Sequence, residues 1–179
     1  LSLFQAVTPR TAGFNTADFG QMSEGGLFLM VMLMLIGGAP GSTAGGVKTT
    51  TIAVILIYVI SNLRGESGCN VFHRRIGDEV IKRSSMVFCL NLFLGLTSVT
   101  LILATSNLHM SDVLFEVYSA ISTVGMTTGI TRDLNVVGRI VIIILMYCGR
   151  IGSMTFALSL VAKPEAKGLS LPEEKITIG

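Results

Sequence analysis

Charge is what this sequence lacks most. Only 13% of its 179 residues are Asp, Glu, Lys or Arg, against about 25% in soluble domains. The net charge of +2 is too small to hold a polyanion, and with no tryptophan and 7% aromatic residues there is no stacking platform for single-stranded nucleic acid. Cysteine is scarce and odd in number. Cys69, Cys89 and Cys148 are too far apart for a disulfide framework or a CxxC metal site. Cys89 and Cys148 fall in apolar stretches and read as small buried hydrophobes. His73 and His109 stand alone, with no pattern of metal ligands around them. The chain starts at Leu1 and has no basic, apolar, cleavable leader. It reads as a piece of a longer protein.

What fills the chain is apolar: half of its residues are hydrophobic and mean hydropathy is +0.71. Residues 84–111 carry no charge, residues 25–60 carry only Lys48, and residues 140–162 only Arg150. Each run is long enough to cross a hydrocarbon layer, which takes roughly 20 helical residues. The expectation is an integral membrane protein.

The run Gly25–Ile60 is too long for one span, since a straight helix of that length would measure about 54 Å. Its middle, Gly37-Gly38-Ala39-Pro40-Gly41-Ser42-Thr43-Ala44-Gly45-Gly46, combines five glycines at roughly 1 kcal/mol each with a proline at about 3. The reading is a broken helix: one piece to Ile36, an irregular loop, and a second piece from Thr49. Leu1–Val7 is too short to span. Residues 61–83 form a polar connection, and a clean helix is expected over Ser84–Ser106. Ser111 is placed to cap a short amphipathic helix, Asp112–Ser122. A polar turn, Thr123–Asn135, precedes a last spanning helix over about Val136–Ala162. Five basic residues in the 61–83 connection, against only Arg132 in 107–135, put the former on the cytoplasmic side. The tail from Lys163 follows by parity, and Lys48 reads as a charge that seeks the cytoplasm.

Two motifs recur. Thr11-Ala12-Gly13-Phe14-Asn15-Thr16 is repeated as Thr123-Val124-Gly125-Met126-Thr127-Thr128, a T-x-G-x-x-T pattern 112 residues on. Gly38-Ala39-Pro40-Gly41-Ser42 is repeated as Gly149-Arg150-Ile151-Gly152-Ser153, a G-x-x-G-S pattern 111 residues on. Each unit reads as short helix, Thr-x-Gly turn, then spanning helix with a small-residue break. A short helix ending part-way through a membrane points the negative end of its dipole inward. Irregular backbone at that depth is tolerated where it lines a cavity or is buried in protein. There its carbonyls can replace the water around a cation, and glycine permits the backbone angles involved.

These stretches, T-A-G-F-N-T, G-G-A-P-G-S-T-A-G-G-V-K-T-T-T, S-T-V-G-M-T-T-G and G-R-I-G-S-M-T, resemble the Trk/Ktr/HKT potassium transporter superfamily. The likeness is greatest to the membrane subunit of bacterial Ktr (NtpJ-like) systems, C-terminal half. The resemblance implies an all-α integral membrane fold of repeated helix–pore loop–helix units, with about three spanning helices and two pore helices. Residues 1–60 would be the third repeat without its first helix, 61–83 a cytoplasmic connection, 84–162 the fourth repeat and 163–179 a cytoplasmic tail. It implies an ion filter at Thr11, Ala12, Gly13 and Phe14 together with Thr123, Val124, Gly125 and Met126. It implies a gate loop at Gly37, Gly38, Gly41, Ser42, Thr43, Gly45 and Gly46, with Arg150 holding that loop through its carbonyls. The implied function is uptake of K⁺ across the bacterial plasma membrane. Na⁺ is a candidate coupling ion, and no covalent cofactor or enzymatic step is called for. The implied partners are a second copy of the full-length subunit and a cytosolic nucleotide-binding (RCK/KtrA-like) subunit.

Two other classes compete. Gly41–Thr49 distantly resembles the phosphate-binding G-x-x-x-x-G-K-[ST] loop, but Val47 spoils the spacing and no strand precedes it. A secondary carrier or membrane scaffold built on broken helices around a midplane site would predict transport of an organic solute, indifferent to the Thr-x-Gly glycines. Selectivity for K⁺ over Na⁺ stays open.

Overall fold

The structure is a computed structural model and describes residues 2–15, 19–42, 44–65, 69–71 and 74–152. Six helices carry it: α1 (Ser2–Val7), α2 (Glu24–Leu35), α3 (Thr49–Leu63), α4 (Asp78–Thr105), α5 (Met110–Ile121) and α6 (Val136–Ile151). A two-residue hairpin, β1 (Asn70–Val71) with β2 (Arg74–Arg75), sits between α3 and α4. Among the described residues, α4 alone is long and apolar enough to cross a membrane unaided.

The expected break in the 25–60 run is there. α2 starts at Ser23, whose hydroxyl accepts the Gly26 N–H, and Glu24 favours the positive end of its dipole. It stops at Leu35, and α3 resumes at Thr49. The intervening loop leaves and returns at nearly one point. Ile36 pairs with Val47 in a parallel bridge, the Gly37 N–H donates to the Val47 carbonyl at 2.8 Å, and the Thr49 N–H donates to the Gly38 carbonyl at 3.2 Å.

Three helix boundaries depart from the sequence reading. α4 begins at Asp78, not Ser84, because Asp78 and Glu79 suit a first turn and hydropathy marks the membrane's edge rather than the helix's. α5 begins at Met110 after His109, which has extended backbone and no side-chain cap. Ser111 therefore lies inside the helix and does not cap it. α6 ends at Ile151, where Gly152 turns to φ +94°, a left-handed stop that favours glycine. The rest of the expected span, 153–162, and the tail, 163–179, lie outside the described residues.

α5 is the centre of the packing. Val113 through Ser122 are buried, Leu114 excepted. On one side Phe115 and Tyr118 meet Leu27, Met30, Val31 and Met34 of α2, with Phe19 stacked 5.6 Å from Phe115. On the other, Val113, Val117, Ala120 and Ile121 meet Val99 and Ile102 of α4 and Ile142 and Leu145 of α6. Asn135 joins the neighbouring ends of α4 and α6. Its Oδ1 caps the Gly138 N–H at 2.7 Å, and its Nδ2 donates to the Thr105 carbonyl at 2.8 Å.

The polarity of α4 is inside out. Ser84, Asn91, Gly95 and Ser98 are buried, while Leu92, Phe93, Leu96 and Leu101 are exposed. A soluble protein does the reverse. In lipid, apolar surface costs nothing outside and small or polar residues serve the helix contacts. The same outer face carries Cys89, which is exposed, whereas Cys148 on α6 is buried as expected.

Candidate functional site

Helices α1 and α5 each run into a turn of the same shape. Thr11 has φ +68° and Gly13 +71°; Thr123 has φ +55° and Gly125 +83°. Glycine adopts this region freely, but a β-branched threonine there is a true outlier. It costs about 1–3 kcal/mol and persists only where surrounding contacts impose it. Thr11 and Thr123 are the only residues other than glycine with positive φ among the described residues.

The fastening of the two turns repeats as well. The Thr8 hydroxyl donates to the Phe14 carbonyl at 3.0 Å, and the Ser119 hydroxyl donates to the Met126 carbonyl at 2.6 Å. In each, a hydroxyl from the short helix holds the residue after the glycine. No printed hydrogen bond among the described residues reaches the carbonyls of Thr11, Ala12 and Gly13, or of Thr123, Val124 and Gly125. The two turns adjoin: a Cβ on Gly13 would land on the Val124 carbonyl oxygen, while the same position on Gly125 faces open space. Thr16 lies outside the described residues.

The glycine-rich loop reaches the second turn directly. Ala39–Ser42 is a tight turn closed by the Ser42 N–H and hydroxyl on the Ala39 carbonyl, at 3.2 and 2.6 Å. Pro40 and Gly41 (φ +84°) occupy its middle positions, the arrangement a type II turn favours. Further on, the Gly45 N–H donates to Thr123 Oγ1 at 2.9 Å. A Cβ on Gly45 would meet the Thr123 side chain at 2.6 Å and the Gly149 carbonyl at 2.9 Å, and one on Gly46 would meet Ser122 Oγ at 2.9 Å. Glycine at these positions is what lets the loop seat against the turn. Thr43 lies outside the described residues.

Lys48 is not merely a charge seeking solvent. Its ammonium donates to the Ser42 carbonyl at 3.3 Å and to the Ala44 carbonyl, so it clasps the loop from the start of α3. Arg150 has another placement. It lines a cavity of about 470 Å³ beside the second turn, together with Glu116, Thr123, Gly125 and Thr127. Ser153, beyond it in the second G-x-x-G-S motif, lies outside the described residues, as does His73.

Glu116 was not singled out by motif or spacing. It is 7% exposed, deep in α5, and one carboxylate oxygen accepts the Thr131 hydroxyl. Thr131 in turn bonds Thr127 at 2.9 Å, and Thr127 Oγ1 accepts the Gly129 N–H at 2.9 Å. A signal existed in a short motif: Leu3-Phe4-Gln5 recurs as Leu114-Phe115-Glu116, 111 residues on. The helices thus align at 111 and the turns at 112, which is why a search for one offset passes over the pair.

Comparison with known proteins follows this geometry closely. Residues 1–170 match the family described as TrkH, cation transport protein. The chain is 40% identical over 99% of its length to the potassium/sodium uptake protein NtpJ of Enterococcus hirae. It is 41% identical over 99% to Ktr system potassium uptake protein B of Bacillus subtilis, and 34% over 99% to the protein of that name from Vibrio alginolyticus. It spans 41%, 40% and 39% of these relatives, respectively, so it corresponds to about two fifths of such a protein.

Proposed function

The chain belongs to the TrkH family of cation transport proteins, and from that premise we propose that it forms two walls of a potassium-uptake pore. The observation that carries this reading is the pair of Thr-x-Gly turns, alike in backbone and in fastening, that meet at Gly13 and Val124. The carbonyls of Thr11, Ala12 and Gly13, with those of Thr123, Val124 and Gly125, would take the place of a dehydrated cation's water. The Phe14 and Met126 carbonyls, each already accepting a hydroxyl, would hold the turns rather than the ion. The rest of the longer protein would supply the remaining walls. The printed names of the relatives support uptake of K⁺ or Na⁺.

The glycine-rich loop would close the path on the inner side of the second turn, seated by Gly45 on Thr123 and clasped by Lys48. Small residues let such a segment move without dragging bulky side chains through packed neighbours. Arg150, on the cavity beside that turn, would act on the loop's far anchorage. The basic 61–83 connection and the C-terminal tail would face the cytoplasm of a bacterial cell. There, a cytosolic nucleotide-binding subunit would dock on a dimer of the full-length protein.

Clasping predicts a defined phenotype for Lys48→Met in the full-length protein. It removes the donor and keeps the stem, so basal Rb⁺ flux through proteoliposomes should rise several-fold with unchanged protein recovery. Unchanged flux would mean the loop is held without Lys48.

The function itself is tested by Rb⁺ uptake in cells lacking their own potassium transporters, carrying the full-length gene with native Gly125 or Gly125→Asp. Uptake by the native protein that the substitution abolishes, or makes indifferent to Na⁺, is the expected result. Robust selective uptake with Asp at 125 would sink the filter reading and favour a carrier.

A further inference from the structure

Behind the second turn lies a group that the filter reading does not use. Glu116 is buried in an apolar helix, and its two oxygens differ. Oε1 accepts the Thr131 hydroxyl, whereas Oε2 is buried with no hydrogen-bond partner among the described residues. A carboxylate oxygen in that state is costly unless positive charge or donors face it. The cavity that Glu116 lines is also lined by Gly125, Thr123 and Thr127, the turn through which the proposed cation path runs.

The hydrogen bonds on Oε1 have a direction. The Gly129 N–H donates to Thr127 Oγ1 and the Thr131 hydroxyl donates to Glu116, which leaves the Thr127 hydroxyl to donate to Thr131. Each hydroxyl gives one bond and accepts one, and the chain ends on the carboxylate as acceptor. The residues following Gly125 are thereby tied to a negative charge.

The first repeat supplies the contrast. Gln5, the counterpart of Glu116 in the Leu-Phe-Gln and Leu-Phe-Glu motifs, is also buried, at 8% exposure. The same place behind the turn holds a neutral amide in one repeat and a carboxylate in the other. The fold therefore accommodates the amide's shape there, and what is particular to the second repeat is charge.

We propose that Glu116 is a specificity-determining residue, whose buried carboxylate, acting across the cavity beside Gly125, raises the affinity of the second turn for a dehydrated monovalent cation. The proposal rests on the reading of Thr123–Gly125 as a filter wall. Through Thr131 and Thr127 the same side chain positions the turn, but the affinity comes from its charge.

The test uses the full-length protein in proteoliposomes, with Rb⁺ uptake measured against Rb⁺ concentration and against competing Na⁺. Glu116→Gln keeps an oxygen to accept the Thr131 hydroxyl and removes the charge. The expected result is a rise in half-saturating Rb⁺ on the order of tenfold, the scale on which one unit charge acts across protein interior. Maximal rate should stay within about twofold, since only ground-state binding is weakened, and Na⁺ should compete better. Unchanged half-saturation and unchanged competition would overturn the proposal. Should Glu116→Gln not accumulate in the membrane, Glu116→Asp decides: it keeps the charge and shortens the reach to Thr131. Near-native half-saturation supports the role of charge, and a tenfold rise contradicts it. Gly125→Asp run alongside separates the two claims. If it leaves uptake intact the filter reading has failed; if it abolishes uptake while Glu116→Gln changes nothing, only the present proposal has.

Discussion

Gly13→Ala in the full-length protein is expected to abolish Rb⁺ uptake while protein still reaches the membrane. Two costs fall on one methyl group. At φ +71° an L-residue pays about 1–2 kcal/mol, and the methyl would also land on the Val124 carbonyl oxygen. Backbone cannot swing aside as a side chain can, so the two turns must part. Gly125→Ala meets only the first cost, because its Cβ position faces open space despite φ +83°. It should retain measurable uptake. The order of the two variants, measured as initial Rb⁺ rate per surface-exposed protein, is the prediction. A Gly13→Ala protein as active as the native one would show that these turns do not abut.

The second large effect concerns folding rather than permeation. Alanine for glycine inside a helix ordinarily stabilises by up to about 1 kcal/mol. At Gly149 in α6 the sign should reverse. A Cβ there would fall on the Ile121 carbonyl oxygen and come within 2.9 Å of its carbon and 3.2 Å of its Cα. All are backbone of α5, so α6 must move off the central helix, a strain of about 1–3 kcal/mol or more. Gly149→Ala should lower the thermal midpoint of the detergent-solubilised full-length protein by several degrees. Gly25→Ala, in the first turn of α2 with nothing within 4 Å of its Cβ position, should leave the midpoint unchanged or raise it. Equal midpoints for the two variants would contradict the close packing of α5 and α6.

Much of this fold is written in features that short windows can read. The glycines and proline at 37–46 broke the long apolar run where the structure breaks it, because propensity at that density outweighs hydropathy. The Thr-x-Gly repeat marked both turns. What was not legible depended on contacts across the chain. Asp78 and Glu79 belong to α4, yet their charge places them outside any apolar window. Lys48 looks like a solvent charge in sequence, and only the return of the loop beside Val47 brings its ammonium to the Ser42 and Ala44 carbonyls. The left-handed threonines were also hidden. The pattern pointed to glycine as the flexible position, whereas Thr11 and Thr123 are strained two residues earlier. Thr123, at least, has a contact that occupies its side chain, the Gly45 N–H. Glu116 escaped notice because helix and turn repeat at offsets differing by one residue.

The central claim is that Thr11–Gly13 and Thr123–Gly125 are adjacent walls of one cation path. The most direct measurement is the anomalous scattering of Rb⁺ in crystals of the full-length protein. The account predicts Rb⁺ density held between the carbonyls of these two turns, lost when Gly13 is replaced by alanine. Rb⁺ bound elsewhere, with both turns unoccupied and their carbonyls turned into the protein, would contradict it.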